Sequence, residues 1–151
     1  PIPKLLEALN QLKYYEQKGP KSLGIEWLEV EFMPVLDQFM HHNLNDRIHT
    51  VYHHVAMQIG RSINETNAKN ILVTGGGAKN NFLVSLLKQQ INGHITIPDP
   101  LTIDFKEALI FAFLGILYLN NTPSSLASVT GAKRNSIAGI LSKGNQFAAV
   151  S

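Results

Sequence analysis

The chain has 151 residues, of which 44% are hydrophobic and 16% are charged, and it contains no cysteine. This composition excludes a disordered or highly charged tail, and the absence of thiols excludes a disulfide scaffold, thiol catalysis and a thiolate metal site. The 13 Lys and Arg residues exceed the 11 Asp and Glu residues by only two, with no basic run, so a nucleic-acid partner is not expected.

The first third of the sequence predicts helices separated by breaks. A leucine repeat at helical spacing predicts a helix over residues 3–17, ended by the Gly-Pro pair that follows. Residues 20–24 are expected to form a loop. Four apolar residues, Trp27, Leu28, Phe32 and Met33, indicate a short helix or an irregular stretch, which Pro34 interrupts. The clearest amphipathic helix is predicted over residues 44–65.

The helix predicted over residues 44–65 carries a candidate cap and a candidate metal-binding face. Asn43 or Asn45 is expected to cap its start. Asp46, His49 and His53 fall on one helical face, a spacing that could hold a metal ion. No further ligand follows in the sequence, so we interpret this face as a polar surface with an excess of histidines.

The second half of the sequence predicts alternating strands and helices. Residues 70–74 and 94–98 predict two short strands, with a helix over residues 82–91 between them, which favours parallel pairing in an α/β fold. Residues 104–120 predict a helix that is apolar nearly all round and therefore buried. Because two strands make a poor sheet, we expect the missing strands to precede Pro1 or to come from another chain.

The start of the sequence and its apolar runs bear on secretion and membrane insertion. Charges interrupt the first 16 residues, so no signal peptide is predicted. The longest apolar run, residues 108–119, is too short to span a bilayer. The chain begins with Pro1 rather than Met, so we expect it to be processed or cut from something longer. Residues after 120 predict loops, with a weak short element over residues 137–141.

The most distinctive local feature is the glycine triplet Gly75–Gly77 between a predicted strand and a predicted helix. Glycines at the end of a strand allow a sharp turn and a close approach by a ligand, and the next helix offers N–H groups to an anion. The segment lacks the Gly-Lys-Ser/Thr of a P-loop, and Asn80 replaces the third glycine of a dinucleotide-binding motif. A ligand site and a tight turn without a ligand both remain open.

Glu107 has two interpretations. Asp104 and Glu107 have the spacing of a capping box at a helix start, with Glu107 at the third helical position. Alternatively, Glu107 is a carboxylate beside a sheet edge at which a substrate binds. The residues alone favour neither.

Five segments combine into a family pattern: PKSLGIEWL (20–28), NDRIHTVYHHVAMQI (45–59), ILVTGGGAKNNFL (71–83), PDPLTIDFKEALIFAFLGILYL (98–119) and PSSLASVTGA (123–132). Together they resemble the carboxyl-terminal part of the anhydro-N-acetylmuramic acid kinase family. The glycine segment is common to the wider actin-like and sugar-kinase clan, whereas KEALIFAFLG followed by SVTGA is more specific.

The resemblance implies a fold and a reaction. Residues 1–151 would form a single partial domain, the later half of a ribonuclease-H-like domain of the actin-like and sugar-kinase type, with helices around a small, mainly parallel sheet. The complete two-domain kinase would use ATP and Mg²⁺. Water would open the 1,6-anhydro ring of the sugar and the 6-oxygen would receive the γ-phosphate, giving N-acetylmuramate 6-phosphate in cell-wall recycling.

The resemblance also implies roles for particular residues. The residues matching the nucleotide-side motif are Gly75, Gly76, Gly77, Ala78 and Asn80. Glu107 matches a glutamate that contacts the anhydro sugar, and Lys79 departs from a histidine common in the family. The family's phosphate loop, of the Gly-Thr-Ser-x-Asp-Gly type, and its catalytic aspartate lie upstream. No catalytic residue and no metal ligand are therefore expected in this chain.

The leading hypothesis is thus a cytoplasmic kinase fragment that is inactive by itself and carries part of the ATP site and one sugar contact. The alternatives are a non-catalytic nucleotide- or partner-binding module and a related kinase acting on another sugar. The expected partners are the anhydro-amino-sugar and the missing amino-terminal domain, with neither nucleic acid nor a membrane. A homodimer stays open.

Overall fold

The computed structural model describes residues 1–17 and 22–140. The chain divides into two compact units, Pro1–Ile103 and Asp104–Ser151, the second described as far as residue 140. The described part is α/β, mostly helical with a parallel two-stranded sheet, which confirms the coarse fold class. The single partial domain stays a prediction.

The elements follow in chain order. They are α1 (Pro3–Asn10), a 3₁₀ turn (Lys13–Glu16), α2 (Ile25–Trp27), a π-helical segment (Leu28–Phe32), α3 (Met33–Asp37), α4 (Leu44–Glu65), β1 (Asn70–Leu72), a second 3₁₀ turn (Gly76–Lys79), α5 (Asn81–Gln90), β2 (His94–Thr96), α6 (Pro100–Leu119) and α7 (Ala127–Thr130).

The first predicted helix is shorter than expected, and the predicted break at Pro34 is absent. Helix α1 ends at Asn10, and Leu12 is extended. The next turn places Tyr15 against Trp27, with ring centroids 6.0 Å apart, so tertiary packing overrides the leucine repeat. Pro34 lies in the first turn of α3, where a proline needs no backbone N–H partner, and the helical path therefore continues.

Helix α4 has the predicted bounds and links two hydrophobic clusters of the first unit. Asn43 caps it, since its side-chain oxygen accepts a hydrogen bond from the N–H of Asn45 at 2.8 Å. The first cluster joins α1 to the π-helical segment and α4, and its buried members are Leu5, Leu9 and Phe32. The second joins α4, α5 and the sheet, and its buried members are Ala56, Leu86, Leu87 and Ile91.

The sheet pairs β1 with β2 in parallel, as predicted, with Asn70 opposite His94 and Leu72 opposite Thr96. Helix α5 connects the two strands. Ile71 and Ile95 pack against the second cluster, whereas Leu72, on the other face, is 65% exposed. Both strands are two residues shorter than predicted, each ending at the third residue.

Helix α6 differs from the prediction in both its start and its burial. It begins at Pro100, four residues earlier than predicted, because Asp99 caps it. The Thr102 N–H donates to Asp99 Oδ1 at 3.0 Å and the Thr102 hydroxyl donates to Oδ2 at 2.6 Å. The prediction that this helix is buried is wrong, since none of its residues is buried. Much of its apolar surface is exposed, including Phe105, Leu109 and Phe111.

After α6, the described chain is mostly irregular. A short antiparallel bridge joins Ser125 to Ser136. Residues 137–140 form neither helix nor strand, so the weak element predicted there is not found, and its last residue, Leu141, lies outside the described residues. Among residues 1–17 and 22–140, no helix is sufficiently long and apolar to cross a membrane.

Candidate functional site

The glycine triplet forms a compact turn at the carboxyl end of β1. After β1 the chain stays beside β2 for one more residue, since the Val73 N–H donates to the Thr96 carbonyl at 3.0 Å. The chain then turns at Gly75 into the second 3₁₀ turn, in which the Ala78 N–H donates to the Gly75 carbonyl at 3.0 Å. The turn leads directly into α5. The predicted strand, glycine turn and helix are therefore all present.

The glycines of this turn differ in what they require. Gly75 has φ 82° and ψ −176°, a backbone conformation that is essentially restricted to glycine. Gly76 and Gly77 are not in a positive-φ conformation. A Cβ added at Gly76 would have no heavy atom within 4 Å, so the backbone there borders open space. The fold explains glycine at 75 but not at 76, where close approach by a ligand would explain it.

Asn80 holds the turn against helix α4. Its side-chain oxygen accepts from the N–H of Leu83 at 3.0 Å and so caps α5. Its side-chain NH₂ donates to the hydroxyl of Tyr52 at 2.8 Å. The Leu83 N–H, one of the groups at the start of α5 that were expected to be free for an anion, is thus already hydrogen-bonded within the chain. Asn80 therefore has a structural role through its contact with Tyr52, and the sequence pattern did not indicate this contact.

Two further residues of the motif place buried atoms beside the turn. Ala78 is 5% exposed, so its methyl group supports the turn from inside. The hydroxyl oxygen of Thr74, directly before Gly75, is buried and has no hydrogen-bond partner in the described part of the chain. Thr74 was not predicted as a site residue, although its place at the end of the strand was a signal for it.

A group of rings lies at the start of α5. Phe82 stacks on His49, with centroids 5.2 Å apart and an interplanar angle of 25°, and meets Tyr52 edge-on at 5.5 Å. His53 packs against His49 at 4.6 Å. Burial and the neighbouring His49 lower the pKa of His53, which favours its neutral form. These contacts tie α4 to the end of the glycine turn.

His54 has a different environment from the other histidines of α4. It is fully buried, and its Nδ1–H donates to Asn10 Oδ1 at 2.8 Å while its Nε2 accepts from the Tyr15 hydroxyl at 2.9 Å. Gln58 donates to the same Asn10 oxygen at 2.9 Å, in agreement with this tautomer. Burial lowers the pKa of His54 to about 4. His54 is therefore a neutral structural link between α1 and α4.

The predicted metal-compatible face of α4 does not assemble a metal site. Within residues 1–17 and 22–140, no group of three or more His, Asp or Glu side chains is placed to hold a metal ion. His49 and His53 instead contact each other and Phe82. The interpretation as a polar face must therefore be modified, since these rings pack at the start of α5.

Glu107 lies on α6 in the second unit, whereas the glycine turn belongs to the first. The capping-box interpretation of Glu107 is wrong, since α6 begins at Pro100 and its third residue is Thr102. Glu107 is exposed at the eighth position of the helix. No hydrogen bond or ion pair joins it to another described residue. Its carboxylate is therefore available to a ligand.

The side of α6 that carries Glu107 continues into a cavity of the second unit. Positions i+4, i+7 and i+11 from Glu107 are Phe111, Leu114 and Tyr118, and all three line a cavity of about 780 Å³. Its other walls come from the segment around α7, including Leu126 and Val129. The lining is mostly aliphatic and aromatic. Glu107 thus lies toward the amino-terminal end of a helix face that borders an open space.

Comparison with known proteins connects these features. The family model described as anhydro-N-acetylmuramic acid kinase matches residues 2–144. A relative named anhydro-N-acetylmuramic acid kinase from Rhodococcus erythropolis is 33% identical over 146 residues, which cover 94% of this chain and 37% of the relative. Proteins of the same name from Vibrio vulnificus and Streptomyces coelicolor are 32% and 30% identical, covering 91% and 95% of this chain and 39% and 38% of theirs.

The matches extend over the glycine turn and α6, so they include both candidate site regions. The chain spans slightly more than a third of the length of these relatives. The family resemblance found in the sequence is confirmed: this chain belongs to the anhydro-N-acetylmuramic acid kinase family.

Proposed function

We propose that this chain supplies part of the ATP site and one sugar contact of a kinase that acts on 1,6-anhydro-N-acetylmuramic acid. In the complete protein, water opens the anhydro ring and the 6-oxygen receives a phosphoryl group, so that the product is N-acetylmuramate 6-phosphate for cell-wall recycling. Family membership supports the reaction. The observation that carries the ATP site is the open space beside Gly76 at the carboxyl end of a parallel strand.

The turn has the features that a nucleotide site needs. Bound ATP supplies the γ-phosphoryl group. Gly76 and Gly77 present backbone without side chains, so a polar ligand can lie directly against the main chain. The buried hydroxyl of Thr74 lacks a partner among the described residues, so a donor at the end of β1 is not committed to the fold. Ala78 and Asn80 act here by keeping the turn in place.

The residues described here do not fit a Mg²⁺ site by themselves. Mg²⁺ prefers oxygen ligands, chiefly carboxylates and phosphates, and the described carboxylates form no cluster that could hold a metal ion. We therefore assign no metal ligand to this part of the chain, and no step of the reaction depends on one here.

Glu107 has the properties of a substrate contact. Its carboxylate is exposed and unpaired in the described part of the chain, and it has no role in capping α6. A carboxylate accepts charge-assisted hydrogen bonds from hydroxyl or amide groups, which an anhydro-amino-sugar provides. We assign Glu107 to binding and orientation of the sugar. The base that activates water is assigned to the part of the protein outside this chain, in a ribonuclease-H-like two-domain arrangement.

The proposal is tested with the complete protein and with this chain by itself. Each is incubated with ATP, Mg²⁺ and 1,6-anhydro-N-acetylmuramic acid, and the phosphosugar is measured by mass spectrometry. We expect product from the complete protein and none from the chain alone. Binding of ATP by the complete protein without product on this sugar or a panel of related sugars would favour the non-catalytic module. Product from another sugar only would favour the related kinase.

A further inference from the structure

Helix α6 carries an exposed apolar stripe. Phe105, Leu109, Phe113 and Ile116 recur at i, i+4, i+8 and i+11 and therefore lie on one side of the helix. They are 61%, 70%, 57% and 56% exposed, respectively. We call these four residues the outer stripe. It contains no charged residue, so its contact with water is unfavourable along three turns of the helix.

The cavity of the second unit borders a different side of α6. The cavity wall is formed by Phe111, Leu114 and Tyr118, which face the segment around α7. None of the four outer-stripe residues lines that cavity. Two exposed phenylalanines alone leave roughly 200 Å² of apolar surface in water, and the aliphatic pair adds a comparable area. An exposed patch of several hundred Å² is typical of an interface rather than of a free surface.

The length of the relatives indicates what covers this stripe. Roughly three fifths of each relative lies outside the region that this chain matches. The first unit has a similar deficit, because Leu72 is exposed on a parallel sheet, and parallel sheets are normally covered on both faces. A two-fold contact between two copies of this chain would cover either the outer stripe or the exposed sheet face at Leu72, and would leave the other in water.

We propose that the outer stripe of α6 is the docking surface for the part of the protein that corresponds to the unmatched three fifths of the relatives. The occupant presents an apolar surface, a sheet face or the apolar side of a helix, since the stripe offers no charge or hydrogen bond. The inference deepens the proposed function, in which that part supplies the catalytic base. The assignment of the catalytic base to that part rests on the proposed function, whereas its contact with the outer stripe does not.

The test measures thiol accessibility in the protein expressed from its complete gene. Leu109→Cys places a thiol on the outer stripe, and Ala112→Cys, a smaller change on the same side of α6, guards against a folding defect. Ser128→Cys on α7 is the exposed control. Each variant is treated with a maleimide, and modification of the peptide that carries the new cysteine is followed by mass spectrometry. This chain has no cysteine of its own.

We expect both α6 thiols to react at least about tenfold more slowly than the Ser128→Cys thiol in the native protein, and equally fast in denaturant. Equal native rates would overturn the proposal. Protection that appears only as light scattering detects a dimer would assign the stripe to a second copy, and protection only with phosphatidylglycerol vesicles would assign it to a membrane surface. Either result would also overturn it.

ATP binding is measured on the same samples, so that the two proposals can fail separately. Protected thiols without ATP binding would retain the docking surface and contradict the proposed function. ATP binding with freely reactive α6 thiols would retain the proposed function and contradict the docking surface.

Discussion

Gly75 and Gly76 are adjacent, but the structure predicts opposite consequences for the same substitution. Gly75→Ala would place a Cβ in a conformation essentially restricted to glycine, at a cost of about 1–3 kcal/mol in folding free energy. Gly76→Ala meets no atom of the described chain within 4 Å and needs no positive φ. It should leave stability unchanged or raise it by about 0.4–1 kcal/mol, because alanine restricts the unfolded chain.

The consequences for ATP are different. If the nucleotide lies against the turn, the Gly76→Ala methyl group occupies space that the ligand needs. Adding a methyl group to a well-packed contact costs about 1–3 kcal/mol, which corresponds to roughly 5- to 150-fold weaker binding. We therefore expect Gly76→Ala to lose at least about fivefold in ATP affinity while its melting temperature stays native or rises slightly.

The assay is displacement of a fluorescent ATP analogue from the complete protein, with thermal unfolding measured on the same preparations. Gly75→Ala serves as the matched control for a change that acts through the fold. Native ATP affinity in a folded Gly76→Ala variant would refute the reasoning and favour a turn without a ligand. A large loss of stability in Gly76→Ala would refute the structural part of it.

Three further predictions test particular side chains. Glu107→Gln should lose at least about tenfold in sugar-dependent activity, with native melting temperature and ATP affinity. The matched change Glu29→Gln should leave all three quantities unchanged. Tyr52→Phe should lose about 1 kcal/mol of unfolding free energy. Asn80→Ala should lose about 1 kcal/mol more than Tyr52→Phe, because the asparagine also caps α5. Additive losses in the double variant would contradict the Asn80–Tyr52 hydrogen bond. Burial lowers the pKa of His54 from 6.5 to about 4, so on acidification the unfolded state binds the proton first. The free energy of unfolding should therefore fall by up to about 3 kcal/mol between pH 6.5 and 4. Chemical denaturation should show a shallower fall for His54→Gln.

The sequence predicted most accurately what short-range chemistry determines. The bounds of α4 were predicted to the residue because its apolar period and the Asn43 cap are local. The strand, glycine turn and helix around Gly75 were also predicted, since strand composition and consecutive glycines act within a few residues. Their parallel pairing followed from the helix between them.

The features that depend on distant residues were missed. The apolar pattern of α4 did not indicate that His54 is buried, because its partners come from α1 and the turn after it, more than 30 residues earlier. The role of Asn80 in contacting α4 depends on Tyr52, 28 residues away. No residue of α6 is buried in the described part of the chain, so periodicity predicted an apolar helix but not its exposure.

The start of α6 shows how two capping signals compete in one sequence. Asp99, Pro100 and Thr102 form the first signal. Asp104 with Glu107 forms the second, which coincides with the helix start predicted at residue 104. Asp99 is the cap in the structure, and its hydrogen bonds from Thr102 lower the pKa of its carboxyl group. Since proline at the first helical position needs no N–H partner, the earlier start is also the better one. The structural explanation for Glu107 thereby disappears, so a loss of activity in Glu107→Gln would report on the sugar contact rather than on the stability of the helix.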